Sequence, residues 1–108
     1  MANTFKSNVA ANIVTSGNTV YTCPSSTSAT VIGLSLSNKS TTTVTANVFL
    51  TRSSVDYSII SNVPILTGSS LIPVGGDQKI VMEDSDEIKV TTSANSSLDC
   101  IVSLLEIS

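Results

Sequence analysis

The chain has 108 residues, a formal charge of −3, and only 12% charged residues against 41% hydrophobic ones. That length suits one domain spanning residues 1–108, and the apolar share excludes a disordered chain. No window approaches eighteen apolar residues, so no membrane-spanning helix is predicted.

The cations Lys6, Lys39, Arg52, Lys79 and Lys89 are scattered. No basic stripe interleaves with the aromatics Phe5, Tyr21, Phe49 and Tyr57, which argues against a nucleic-acid partner. Ser and Thr supply the missing polarity. Neutral hydroxyls cost less to desolvate than Lys or Glu and suit a surface that faces other protein closely, although such residues are also common in small β proteins.

Read in order, residues 1–14 are weakly patterned and suggest an edge strand or an extended N-terminal arm. Asn18–Cys23 alternates and Pro24 stops it. Ala29–Asn38 reads as a strong strand, with Ile32, Leu34 and Leu36 on one face and Val31, Gly33, Ser35 and Ser37 on the other. After a turn at Lys39–Thr42, the residues Val44, Ala46, Val48 and Leu50 alternate again, and a hairpin with the preceding strand is expected. Arg52–Asp56 breaks the pattern. Tyr57–Leu66 resumes it, and Pro64 marks that segment as an edge. Short strands follow at Leu71–Val74, Lys79–Met82 and Ile88–Thr92, separated by the turns at Thr67-Gly68 and Gly75-Gly76-Asp77 and by the acidic run Glu83–Glu87. A long strand fills Leu98–Ile107.

Turn signals every eight to twelve residues, with no sustained helical spacing, predict an all-β fold. The expected architecture is a single antiparallel β-sandwich of about eight strands, jelly-roll-like or Ig-like. Alternation alone does not choose between those topologies.

The chain offers little for catalysis. It has no histidine, and none of Lys6, Lys39, Lys79 and Lys89 has a Ser or Thr three residues before it, so an activated nucleophile has no evident base. Two cysteines, Cys23 and Cys100, cannot make a zinc site without further ligands. They read as small buried hydrophobes, with a bridge left open. Glu83, Asp84, Asp86 and Glu87 are the one dense ionisable group. Hard oxygen ligands at alternating positions suit a calcium loop, but the spacing fits no EF-hand and lacks its glycine. The reading preferred is a solvated loop. Gly75-Gly76 precedes no helix, so it is no phosphate loop. Asn38-Lys-Ser and Asn95-Ser-Ser fit the glycosylation pattern without a secretory signal to support it. The expectation is a protein that is not an enzyme, with no catalytic, cofactor-binding or metal residues.

Met1-Ala-Asn-Thr4, Tyr21-Thr-Cys-Pro24 and Ile32-Gly-Leu-Ser-Leu-Ser-Asn38 carry a resemblance that continues through Val63–Leu71, Ile80–Asp86 and Ser103–Ile107. On these segments the chain resembles small virion structural proteins of tailed bacteriophages, particularly phages of marine and aquatic bacteria. It departs from them in having Ser85-Asp86 where a Gly-Asp pair is usual, and in Cys23 and Cys100. The resemblance implies a β-sandwich built into a phage particle, made and assembled in the host cytoplasm. A capsid decoration (cement) protein on the outer surface of the head is the first expectation. The alternatives are a tail, neck or fibre-associated subunit, and a host-glycan-binding module using Tyr21 and Tyr57 as aromatic platforms. The expected partners are the major capsid protein or the tail or neck proteins of the same particle, and further copies in a homo-oligomer.

Overall fold

The computed structural model describes residues 3–75 and 79–107, and its regular structure there is entirely β. The strands are β1 (Asn3–Ala10), β2 (Asn18–Thr22), β3 (Ser28–Asn38), β4 (Val44–Arg52), β5 (Val55–Ile65), β6 (Ser70–Val74), β7 (Ile80–Met82), β8 (Glu87–Thr92) and β9 (Leu98–Ile107). One sheet has the order β1-β9-β3-β6, with β7 also paired to β3, and the other has the order β2-β8-β4-β5.

All pairings are antiparallel, and they nest. The pair β4·β5 is innermost in sequence. Around it lie β3·β6 and β3·β7, then β2·β8, then β1·β9. Such a series is one long hairpin, and rolling it creates the new contacts β3·β9 and β4·β8. This is the jelly roll. It settles the topology that alternation left open, in favour of the jelly-roll alternative over the Ig-like one.

The core lies between the two sheets. β9 turns Leu98, Cys100, Val102 and Leu104 inward, and β4 and β8 face them with Val44, Ala46, Val48, Ile88 and Val90. Ala29, Val31, Leu34, Leu36 and Met82 complete the first sheet's buried face.

Two expectations need correction, and one open alternative is decided. First, β3 and β4 do not form a hairpin; they belong to opposite sheets. Their connection arches across the sandwich, held by buried Asn38. Its Nδ2 donates to the carbonyls of Thr42 and Ile65 at 2.9 and 2.8 Å, and its Oδ1 accepts from the Ser40 amide at 2.9 Å. Asn38 is thus a structural clamp and a poor glycosylation acceptor. Second, a register shift between Val31 and Gly33 switches the side-chain parity within β3. Val31 is buried and Ile32 only half-buried, the reverse of uninterrupted alternation. A similar shift between Thr19 and Tyr21 buries Val20 and Tyr21 together. Of the two alternatives for the N-terminal segment, the edge strand is the one found. All eight residues of β1 pair with β9, so they do not form a free arm. Pro64 lies on β5, an edge as expected. The turn expected at Gly75-Gly76-Asp77 falls partly outside the described residues.

The true hairpin joins β4 to β5. Arg52 pairs with Val55 across a two-residue loop in which Ser53 and Ser54 both have positive φ, 53° and 63°. Two left-handed residues make a type I′ turn, which matches the twist of the strands but favours Asn-Gly. Serine carries a Cβ that disfavours this conformation. Replacing Ser53-Ser54 by Asn-Gly is expected to raise unfolding free energy by about 1 kcal/mol. The check is a shift of the urea midpoint to higher concentration with an unchanged slope.

Candidate functional site

The densest charged cluster sits at one end of the sandwich, where the β4–β5 turn meets the β7–β8 loop. Thr51–Ser54 and Asp84–Glu87 line a shallow depression of about 320 Å³ there. Its centre is an ion pair that the sequence did not advertise. Arg52 donates from Nε to Asp86 Oδ1 at 2.9 Å and from Nη2 to Asp86 Oδ2 at 2.6 Å. The Glu83 amide adds a third bond to Oδ2 at 2.8 Å. Asp86 is 1% exposed. The Arg52 hydrogen bonds hold its carboxyl below the usual carboxylate range, against the opposing effect of burial. The Asp86 backbone is also engaged, since its carbonyl accepts from the Cys23 amide at 2.8 Å. One residue thereby ties the end of β2, β4 and the β7–β8 loop together.

This corrects the reading of residues 83–87 as a solvated loop at Asp86, while Glu83, Asp84 and Ser85 are exposed as that reading expected. Asp84 turns away from Asp86 to accept the Ser26 amide at 2.9 Å, where Ser26 has φ of 58°. That bond and one from the Ser85 hydroxyl keep the Asp84 carboxyl low. Glu83 lies 4.0 Å from Arg52. Asp86 and Glu83 thus face Arg52 while Asp84 caps Ser26, and among the described residues no three ligand-type side chains converge on a metal position.

The aromatic and thiol candidates scatter as well. Tyr21 is buried, and its hydroxyl donates to Glu106 at 2.6 Å; burial and that bond both push its ionisation up. Tyr57 is exposed on β5, at the opposite edge of the same sheet. The two cannot form one glycan platform. Cys23 and Cys100 are free and buried. The Cys23 thiol donates to the Thr27 carbonyl at 3.3 Å, beside the start of β3, whereas Cys100 pairs with Leu36. Eight residues of strand separate those points, about 26 Å, far beyond disulfide reach.

What the structure does assemble is a surface. The outward residues of the first sheet lie in rows across its strands, because directly paired residues share a face. One row runs Phe5, Leu105, Thr30, Val81; another runs Val9, Ile101, Ser35. Between them lies a furrow of Ser7, Ser103 and Gly33. Phe5 is 77% exposed, Val9 72% and Val81 63%, and Ile101 and Ile72 extend the patch. The residues of these rows are uncharged, and at one end of the face Asp99 and Lys39 pair at 3.0 Å. A contiguous exposed apolar patch of this kind has the character of surfaces that other molecules cover. The exposure of Phe5 and Val9 was not legible in the sequence, because whether β1 has both faces open depends on where it docks.

No family model matches the chain, and no curated protein matches it. Among solved structures, it is similar to a chain from the Bacillus endospore appendages that form disulfide-linked pili. The TM-score is 0.54 at 13% identity, over 100% of this chain and 91% of that one. It is also similar to part of a chain from the T13 IBDV viral particle, with TM-score 0.52 at 9% identity, over 96% of this chain but 30% of that one. At such identities the likeness concerns the fold, a jelly roll that recurs in viral capsid domains. Among the described residues no helix is long and apolar enough to cross a membrane.

Two outcomes follow for the residues described here. Asp86→Asn is expected to lose about 1–3 kcal/mol of stability at pH 7, because it removes a charge-assisted pair from a buried position. A depressed carboxyl stabilises the fold above its unfolded value and loses that contribution as pH falls through its folded one. The gap between wild type and Asp86→Asn therefore closes below about pH 4, read from urea midpoints at a series of pH values. Burial also pushes the Cys100 thiol up to about 12, and that of Cys23 upward. Ellman's reagent is expected to leave both unreacted in the native protein and to titrate both after unfolding.

Proposed function

We propose that this chain is a virion structural subunit without enzymatic activity, and specifically a capsid decoration (cement) protein that seats on the outer surface of a phage head. The observation that carries the reading is the neutral apolar face of the β1-β9-β3 sheet. A protein that covers a lattice needs such a face, since each desolvated charge would cost free energy that hydroxyls and aliphatic groups do not. Many copies on one particle then multiply a modest contact by avidity. The likeness in fold to a chain of a viral particle and the segment-by-segment resemblance to small phage virion proteins support the same assignment. Its partners are then the major capsid protein and further copies of itself, and its location is the virion.

A second reading is a subunit of a tail, neck or fibre. It is favoured by the likeness to an appendage-forming chain, which runs over the full length of this one. That appendage is disulfide-linked, whereas Cys23 and Cys100 are buried here. A linkage of that kind would first have to expose them. A glycan-binding module has less support, because Tyr21 is withdrawn into the core.

Quantitative mass spectrometry of purified virions, against the major capsid protein, tests the assignment. Hundreds of copies per particle are expected for decoration. A count of six to a few dozen moves the protein to the tail, neck or fibres, and its absence from virions overturns the structural reading.

A further inference from the structure

A sandwich of two open sheets presents four lateral edges, and in this fold they are treated unequally. Three carry features that block strand addition. β2 has five residues and a bulge between Thr19 and Tyr21; the Asn8 side chain donates to its Val20 carbonyl at 3.2 Å. β5 carries Pro64 and two register shifts, and Asn62 lies at φ of 51°. The edge beyond β3 is divided between β6, five residues including Pro73, and β7, three residues.

The fourth edge is β1, and it has none of these. Its eight residues, Asn-Thr-Phe-Lys-Ser-Asn-Val-Ala, contain no proline or glycine. They run in unbroken register from Asn3 opposite Ile107 to Ala10 opposite Cys100. Among the described residues, no backbone group of β1 bonds outside that ladder. Its single charge, Lys6, lies 3.4 Å from Glu106 toward the inner side. Phe5 and Val9, the two most exposed large hydrophobic side chains described, stand on this same strand.

We propose that β1 is a homotypic assembly edge, pairing antiparallel with β1 of a second copy about a two-fold axis near Ser7. The strand's own sequence selects the partner and the register. With Ser7 opposite Ser7 of the second copy, Phe5 lies opposite Val9 twice and Lys6 opposite Asn8 twice. Moving the centre to Lys6 would place two ammonium groups face to face and leave Phe5 opposite Ser7, which is unfavourable on both counts. The chosen register forms two aromatic–aliphatic pairs on the outward face and keeps the lysines apart. An isologous axis normal to the sheet also turns both outward faces the same way. The pair thus presents one continuous sheet whose apolar rows run across both copies. This inference rests on the edge geometry and does not depend on the virion assignment.

The test uses the full chain and three variants. Sedimentation of the wild type is expected to show a concentration-dependent monomer–dimer equilibrium. Val9→Lys places a cation opposite Phe5 twice. Because Val9 is solvent-exposed, the fold should persist by circular dichroism while association weakens about tenfold or more. Ser7→Cys, oxidised under mild conditions, should give a covalent dimer, since directly opposed residues lie within disulfide reach. Asn3→Cys, equally accessible but about 27 Å from its symmetry mate in this register, should not. The buried Cys23 and Cys100 make the wild type the blank. A wild type that stays monomeric overturns the proposal. So does Ser7→Cys that cross-links no faster than Asn3→Cys, or an oligomer indifferent to Val9→Lys.

Discussion

The ladder between β3 and β9 is the constraint on which the other parts depend. Ser28 lies opposite Ile107 and Asn38 opposite Leu98, with one shift between Val31 and Gly33. This register puts Leu98, Cys100, Val102 and Leu104 into the core together, and it leaves Ile101, Ser103 and Leu105 facing outward. A slip by one residue would exchange those sets and bury Ser103 while exposing four core side chains. β1 then docks on the far side of β9, so the β9 register also decides which of its residues are outward. The apolar face and the free edge are both consequences of this one pairing. Residues so distant in sequence close at a high entropic cost. The fold is therefore expected to form slowly, as sandwiches with non-local pairings do.

The number and placement of strands were largely legible because most are bounded by Ser, Thr, Gly or Pro and alternate over much of their length. The bounds of β9, Leu98–Ile107, were read in full, and the alternation of Val44, Ala46 and Val48 matches their burial. Which strands are neighbours was not legible. Lys39–Thr43 has the composition of a hairpin loop, and nothing local distinguishes a return within a sheet from an arch between sheets. The distinction is made by Asn38, whose amide reaches the carbonyl of Ile65, a partner 27 residues away. The bulges in β2 and β3 were hidden for a related reason. An extra residue among Val31, Ile32 and Gly33 changes no local propensity, yet it reverses the parity of everything before it.

The acidic run teaches a different lesson. Four carboxylates in five residues look like a solvated loop, because ionised groups are seldom buried unpaired. What exempts Asp86 is Arg52, a partner 34 positions away whose planar fork satisfies both carboxylate oxygens at once. The exposed part of Arg52 keeps the guanidinium in contact with water while Asp86 is enclosed. The pair thus avoids most of the desolvation cost that a fully buried pair would carry. Its return is positional, since it fixes the β7–β8 loop against the β4–β5 turn and the end of β2.

The scarcity of charge has a consistent physical account once the ion pairs are placed. Lys6 is met by Glu106, Lys39 by Asp99, Arg52 by Asp86 and Lys89 by Asp56. The Lys6–Glu106 pair lies on the inner side of the first sheet, and the others occupy strand ends, loops and the second sheet. The outward rows of the first sheet hold Phe5 and otherwise Ser, Thr, Gly and aliphatic side chains. Were this sheet meant only to meet solvent, Lys or Glu at the Phe5 and Val9 positions would keep β1 from pairing with other strands, as edge charges do elsewhere. The other three edges show that this fold has such protections available, in Pro64, Pro73 and the β2 bulge. Their absence from β1 alone, beside the most exposed apolar side chains described, fits an edge that is covered when the protein is in use.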